Sequence, residues 1–309
     1  MSPLSLQIAR LKARATKASF PFRAASVPLG VVPAPAKHNL GADYDTEWAR
    51  RYPMRLIRAT IVEGIMRPTM NFIANPTVTG LDRLSELDGP VIFAANHHSH
   101  ADTPLLMTSI PNPWRHQLVI AAAADYFFAS RMGGAISALA IGAVPVERAR
   151  VNRNSGDQIV ELINDGWSLL IYPEGGRSPD GWGQEFRGGA AYLAIRSNIP
   201  VVPIHVAGTG AILRKGRILP RRSSTTVTFG KPMSPLNEEN ARSFNNRLEK
   251  AVTGLADENA SDWWEARQRI YSDSSPDLTG PNFEDWRRAW SLGSQNKNTT
   301  RRRRRWPSL

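Results

Sequence analysis

Apolar and polar positions along the chain change period several times, and the changes mark out elements. Short apolar runs bounded by Gly, Pro, Asn or Ser predict strands at "NPTVTG" (75–80), "PVIFAAN" (90–96), "HQLVIAAAA" (116–124), "GAVPVER" (142–148), the start of "WSLLIYPEGGRS" (167–178), "IPVVPIHVAG" (199–208) and "STTVTFGKPM" (224–233). Between them, spacings near 3.6 predict helices at "DTPLLMTSI" (102–110), "DYFFASRMGGAISALA" (125–140), "SGDQIVELINDG" (155–166) and "FRGGAAYLAIRSN" (186–198). Pro104 suits the first turn of one helix and Gly166 the end of another. Strands that alternate with helices of this length define an α/β fold, a mainly parallel sheet flanked by helices. Upstream, two stretches read as amphipathic helices. "SLQIARLKARATKASF" (5–20) sets Leu6, Ile8 and Leu11 against four cations. "EWARRYPMRLIRATIVEGIMRP" (47–68) carries Met54, Ile57, Ile61 and Ile65 at helical spacing and is expected to stop at Pro68.

These changes of character divide the chain into five parts: a basic N-terminal segment (1–42), an amphipathic helical region (43–75), an α/β core (76–235), a C-terminal helical region (236–270) and a Trp/Arg-rich tail (271–309) expected to be disordered. The net charge of +12 is unevenly placed. Residues 1–42 hold six cations and no acid, "RKGRILPRR" (214–222) holds five cations and "RRRRR" (301–305) another five; the remaining chain has 23 basic residues against 27 acidic. Such patches suit a polyanionic surface, either anionic lipid or nucleic acid, or serve only as solubilising tails. The N-terminal Arg/Ser/Ala bias also resembles an organelle transit peptide. The longest uncharged run of the apolar region, "MGGAISALAIGAVPV" (132–146), is shorter than the ~20 residues a spanning helix needs. With no cysteine in the chain, disulfides, thiolate metal sites and a cysteine nucleophile are excluded.

The chemistry concentrates in "NHHSHAD" (96–102), directly after a predicted strand. In open α/β sheets functional groups gather beyond the carboxyl ends of strands, so this stretch and "PEGGRS" (173–178) are placed to share a cleft. Three readings compete. A metal site would use His97, His98, His100 and Asp102, but alternation splits the histidines between two faces and the helical i, i+4 pair is missing. Ser99 as a nucleophile lacks flanking glycines. The third reading makes His97 a general base whose tautomer is held by Asp102. Against it stands a plainer role for Asp102, capping the helix that begins near Thr103.

"NHHSHAD", "GAVPVER", "YPEGGRS" and "IPVVPI", in this order, resemble the four motif blocks of the glycerolipid acyltransferase family typified by 1-acyl-glycerol-3-phosphate acyltransferases, over residues 76–235. The resemblance implies that His97 takes the proton from an acceptor hydroxyl that attacks an acyl thioester, with Asp102 its partner. It carries Arg148 and Arg177 over as ligands of the acceptor phosphate, with Ser99, Glu174 and Gly175 also in the acceptor site, and leaves His98 and His100 as incidental. Pro200 and Pro203 match a strand that helps shape the acyl-donor site. Two positions depart from the pattern: Val144, Pro145 and Val146 stand where a phenylalanine is common, and Gly176 replaces a threonine. The chemistry implied needs no metal and no cofactor beyond its co-substrate, acyl-CoA or an acyl carrier protein (acyl-ACP). The N–H groups of Gly175 and Gly176 are candidate donors to the developing oxyanion.

The function so implied is acyl transfer to a glycerophosphate, with lysophosphatidic acid as the lysophospholipid acceptor and phosphatidic acid as product. The expected location is peripheral, on the cytoplasmic face of a membrane, held by anionic lipid. Glycerol-3-phosphate or a glycosylated lipid as acceptor is the alternative, since the four blocks are shared across acceptors. A metal-dependent hydrolase and a non-catalytic membrane- or nucleic-acid-binding protein are more distant ones. No nucleic acid is expected as a partner, because no familiar nucleic-acid motif is present.

Overall fold

The computed structural model of the chain describes residues 40–147, 153–178, 181–213, 219–276 and 278, with side chains from 156 onward in the second range. The helix expected at 5–20, Arg148, most of the basic run 214–222 and the arginine-rich tail lie outside them. The described residues belong to a compact unit, Asn39–Leu309.

The sheet has seven strands: β1 (Pro76–Thr79), β2 (Ile92–Ala95), β3 (Leu118–Ala123), β4 (Ala143–Val146), β5 (Ser168–Ile171), β6 (Val201–Ala207) and β7 (Thr225–Phe229), in the spatial order β1-β7-β6-β2-β5-β3-β4. All seven lie where apolar runs predict them. Every neighbouring pair is parallel except β6 and β7. Alternate residues of each strand feed two cores, as a pleated strand buried on both faces requires. Phe93 and Ala95 pack with Leu105, Trp114 and Phe229 on one face; Ile92 and Ala94 pack with Ile163, Leu193, Phe244 and Leu248 on the other.

Helices cover both faces. They are α1 (Tyr52–Ile61), α2 (Arg67–Ala74), α3 (Asp102–Ser109), the short α4 (Ala124–Phe127), α5 (Arg131–Ile141), α6 (Arg153–Asn164), α7 (Gly189–Ser197), the short α8 (Thr209–Ile212), α9 (Ala241–Ala260) and α10 (Trp263–Tyr271). The sequence expectation of one helix over 125–140 is corrected to two: Ser130 Oγ accepts the N–H of Gly133 at 3.1 Å and starts α5 afresh. Gly134 then admits the rings of Tyr44 and Phe128 where a Cβ would meet both at about 3 Å.

Pro68 does not stop the first helix as expected. A π turn over Val62–Met66 joins α1 to α2, with Arg67 N–H bonding to Val62 O, and the chain stays helical to Asn75, which is left-handed at φ 37°. Proline disturbs the bonding to the carbonyl four residues back, and widening the preceding turn accommodates it. Within this segment the stripe named from sequence is largely turned away from the protein. Val62, Met70 and Ala74 are buried, whereas Ile57 and Ile65 are exposed together with Tyr52, Leu56 and Phe72.

Arg58 is buried among them. Its guanidinium donates to Leu139 O (2.9 Å) and Ala138 O (3.0 Å) near the end of α5 and to Ala49 O (2.7 Å). Burial lowers its pKa to about 10, which leaves it charged at neutral pH, where a cation suits a helix C-terminus. The chain then reverses at Gly142, φ 66°, and enters β4.

Candidate active site

β2 delivers the site. Beyond Ala95, Asn96 is clamped to β6: its Nδ2 donates to Val206 O at 2.9 Å and its Oδ1 accepts the N–H of Val206 at 2.7 Å. The chain leaves the sheet there in a fixed direction. His97 Nδ1 then lies 2.8 Å from Asp102 Oδ2, with the imidazole 16% exposed and the carboxylate 0%. The same oxygen accepts the N–H groups of His98 (2.7 Å) and Ser99 (2.8 Å). Asp102 opens α3 but bonds back to the loop before it, and the N-cap position, Ala101, makes no side-chain capping bond. Asp102 Oδ1 is buried without a hydrogen-bond partner. A second brace is aromatic: Tyr172 stacks on His97 with centroids 4.0 Å apart and hydrogen-bonds Thr103 through its hydroxyl at 2.9 Å. With Nδ1 committed to Asp102, Nε2 is the ring nitrogen open to the cleft.

Glu174 is buried and binds backbone. Its two oxygens accept the N–H groups of His97 (2.9 Å) and Gln184 (3.2 Å), joining the loop after β2 to the loop after β5. Burial pushes its carboxyl up to about 8, against the opposing pull of those two donors. The Ser178 N–H to His97 O bond (2.8 Å) adds a second tie between the loops.

The cleft between them measures about 290 Å³. Its lining combines polar groups, among them His97, His100, Arg177 and Arg187, with apolar ones, among them Ile120, Ala121, Ala123, Phe127, Val146 and Ile171. His97, Gly175 and Arg177 are therefore brought together here. Arg148 lies outside the described residues, two positions beyond Val146 of the cleft wall.

Two expected acceptor residues sit elsewhere. Ser99 is fully buried, donates to Leu213 O (2.9 Å) and accepts the Ala101 N–H (3.1 Å), so it braces the loop from behind. Glu174 supports the site without lining the cleft. The Gly175 N–H is engaged by Tyr172 O at 3.0 Å, which leaves Gly176 as the candidate oxyanion donor of the pair.

The three histidines of the motif diverge: His97 to Asp102, His98 to a separate cavity with Asn96 and His205, and His100 to a stack with Tyr126 at the cleft rim. Among the described residues no group of three or more His, Cys, Asp or Glu is arranged to hold a metal ion. His100 titrates below its ordinary value, first through burial and then through Arg177 nearby. Arg187 escaped the sequence reading. It stands just before α7, outside the four motif blocks, and the turn geometry brings it into the cleft.

Residues 75–207 match the family model described as Acyltransferase. The similarity becomes more particular among curated proteins. The Brassica napus 1-acyl-sn-glycerol-3-phosphate acyltransferase BAT2, chloroplastic, is 32% identical over 141 residues, 45% of this chain and 39% of that one. A 1-acyl-sn-glycerol-3-phosphate acyltransferase of Chlamydomonas reinhardtii is 28% identical over 213 residues, 67% of this chain and 55% of that one. The chain thus spans about two fifths of the plant relative and about half of the algal one. Among solved structures, the 1-acyl-sn-glycerophosphate (LPA) acyltransferase PlsC of Thermotoga maritima shares the fold with a TM-score of 0.54 at 23% identity, over 71% of this chain and 84% of that one.

Proposed function

We propose that this protein transfers a fatty acyl chain from an acyl thioester, acyl-CoA or an acyl carrier protein, to the free hydroxyl of lysophosphatidic acid, forming phosphatidic acid. The observation that carries the reading is the His97–Asp102 pair, with His97 lining a cleft that also holds arginine and apolar side chains. An acyl chain placed against Ile120, Ala121 and Phe127 gains about 0.8 kcal/mol per buried methylene. The acceptor phosphate lies toward Arg177, with Arg148 joining it as the motif resemblance implies.

Chemically, His97 Nε2 takes the proton of the acceptor hydroxyl as its oxygen attacks the thioester carbonyl. Asp102 stabilises the imidazolium that forms. The tetrahedral intermediate collapses with loss of the thiolate, and the imidazolium returns the proton to that sulfur. Ester and thiol leave, and neither a covalent enzyme intermediate nor a metal enters. Gly176 N–H is the proposed donor to the oxyanion.

A lipid acceptor calls for contact with a membrane surface, and we propose its cytoplasmic face. No described helix is long and apolar enough to cross a bilayer. The outward residues Tyr52, Leu56, Ile57, Ile65 and Phe72 on α1, α2 and the π turn between them support interfacial contact. Arg222 lies over the Phe72 ring at 4.2 Å and sets a cation beside that face, as anionic lipid favours.

The test is transfer of labelled oleoyl groups from oleoyl-CoA to lysophosphatidic acid by wild type and His97→Ala of matched folding. The expected result is activity lost on substitution and indifferent to chelator. An active His97→Ala protein would refute the mechanism; a wild type active only on another acceptor would redirect the substrate.

A further inference from the structure

Arg187 has no assigned role, yet the loop after β5 is shaped around it. Its N–H donates to Pro173 O at 2.8 Å. Three residues earlier, Gln184 bonds the same turn twice, through its N–H to Glu174 and through Nε2 to Gly176 O at 3.2 Å. Residues 184–187 therefore wrap the glycine turn, and Arg187 lines the same cleft as Arg177. Gly175 makes the room. At φ 70° it is left-handed, and a Cβ there would come within 2.9 Å of both Cδ and Nε of Arg187. Gly189 and Ala190, in the first turn of α7, line the same cleft, and first-turn N–H groups have no intrahelical acceptor.

We propose that Arg187 is a further arginine of the acceptor site, beyond the two motif arginines, holding the phosphate monoester jointly with Arg177, and that Gly175 is glycine so that this guanidinium can reach it. This rests on the acyl-transfer reading above. A phosphate monoester carries close to two negative charges and three acceptor oxygens, which one guanidinium fork does not saturate. Arg187 thereby also sets specificity: an acceptor without the phosphate forgoes its charge-assisted contact with this guanidinium.

The experiment measures steady-state kinetics of wild type, Arg187→Gln, Arg187→Lys and Gly175→Ala with lysophosphatidic acid and oleoyl-CoA varied separately. Inorganic phosphate binding by calorimetry is read in parallel. Loss of one charge-assisted phosphate contact predicts KM for lysophosphatidic acid raised about 10- to 100-fold in Arg187→Gln, with kcat and the oleoyl-CoA KM within about threefold. Arg187→Lys recovers part of the loss, because lysine keeps the charge without the fork. Gly175→Ala shifts KM in the same direction, and phosphate affinity falls in step.

An unchanged lysophosphatidic acid KM and phosphate affinity in Arg187→Gln overturns the proposal. So does a rise confined to the oleoyl-CoA KM, which would give Arg187 to the phosphates of the donor, or a fall in kcat alone, which would make it structural. A wild type inactive on lysophosphatidic acid refutes the proposed function instead. The calorimetry then still decides whether Arg187 completes an anion site.

Discussion

Asp102→Asn separates charge from architecture in this site. On the proposed mechanism the carboxylate has two tasks, to neutralise the imidazolium of His97 in the transition state and to hold the loop through the N–H groups of His98 and Ser99. All three donors meet Oδ2, while Oδ1 is buried and unbonded. An asparagine can place its oxygen on the three donors and its amide nitrogen in the position of Oδ1. The loop keeps its bonds, and the cost in stability is one buried unpaired NH2 group, about 1–3 kcal/mol. The charge is lost entirely. Two unit charges with centres about 4 Å apart at an effective dielectric near 20 attract by about 4 kcal/mol. Transition-state stabilisation therefore falls by an amount worth about 10³ in kcat, while both KM values stay within a few fold because Asp102 does not line the cleft. The assay is the oleoyl transfer reaction at saturating substrates, with thermal unfolding showing that the variant is folded. A folded Asp102→Asn protein whose kcat stays within tenfold of wild type would refute the charge-stabilising role. Asp102→Ala is the poorer variant, since it leaves two buried N–H groups without an acceptor.

Other perturbations have equally defined outcomes. His97→Ala abolishes transfer without a large loss of stability, read by the labelled assay beside an unfolding curve. Arg187→Gln raises the acceptor KM selectively, as set out above. Glu174, raised to about 8 in the folded protein from an ordinary value of 4.5, binds a proton more tightly folded than unfolded. Its contribution to stability is complete below about pH 4.5 and is lost as pH rises toward 8, by up to about 1.4 kcal/mol per pH unit within that window. Denaturant unfolding of wild type and Glu174→Gln across this range shows the slope in the first and its loss in the second; equal slopes would refute the assignment. Gly142→Ala forces a left-handed residue to carry a Cβ within 2.9 Å of Leu118 O and 3.0 Å of Arg58 Nη1. The expected destabilisation is at least about 1–2 kcal/mol, seen as a Tm lowered by several degrees.

What the sequence discloses depends on where each interaction partner sits. Strands β2, β3, β5 and β6 are buried on both faces and appear as plain apolar runs bounded by turn residues, so they are legible one by one. The reversed direction of β7 is not, because an apolar run reads the same either way. His97 and Asp102 are close in the chain, and their spacing hints at a pair. Ser99 lies between them and looks equally functional, yet its partner is Leu213 O, more than a hundred residues away. Glu174 presents the same difficulty: its partners are backbone N–H groups, which every residue except proline carries. The outward turn of Ile57 and Ile65 was undetermined for another reason. A stripe of apolar residues shows which positions share a face and leaves open whether protein or lipid covers it.

The register of the sheet edge has a consequence for synthesis. β1 finds its neighbour in β7, pairing Pro76 with Thr225, 149 positions later. At about 5–20 residues per second a ribosome needs roughly 7–30 s to make that interval. Throughout it β1 has no partner strand. The helices α1 and α2 just before it have already emerged with Tyr52, Leu56, Ile57, Ile65 and Phe72 on their outer side. On the membrane reading proposed above, the face meant for lipid is thus made, and exposed, well before the sheet can close.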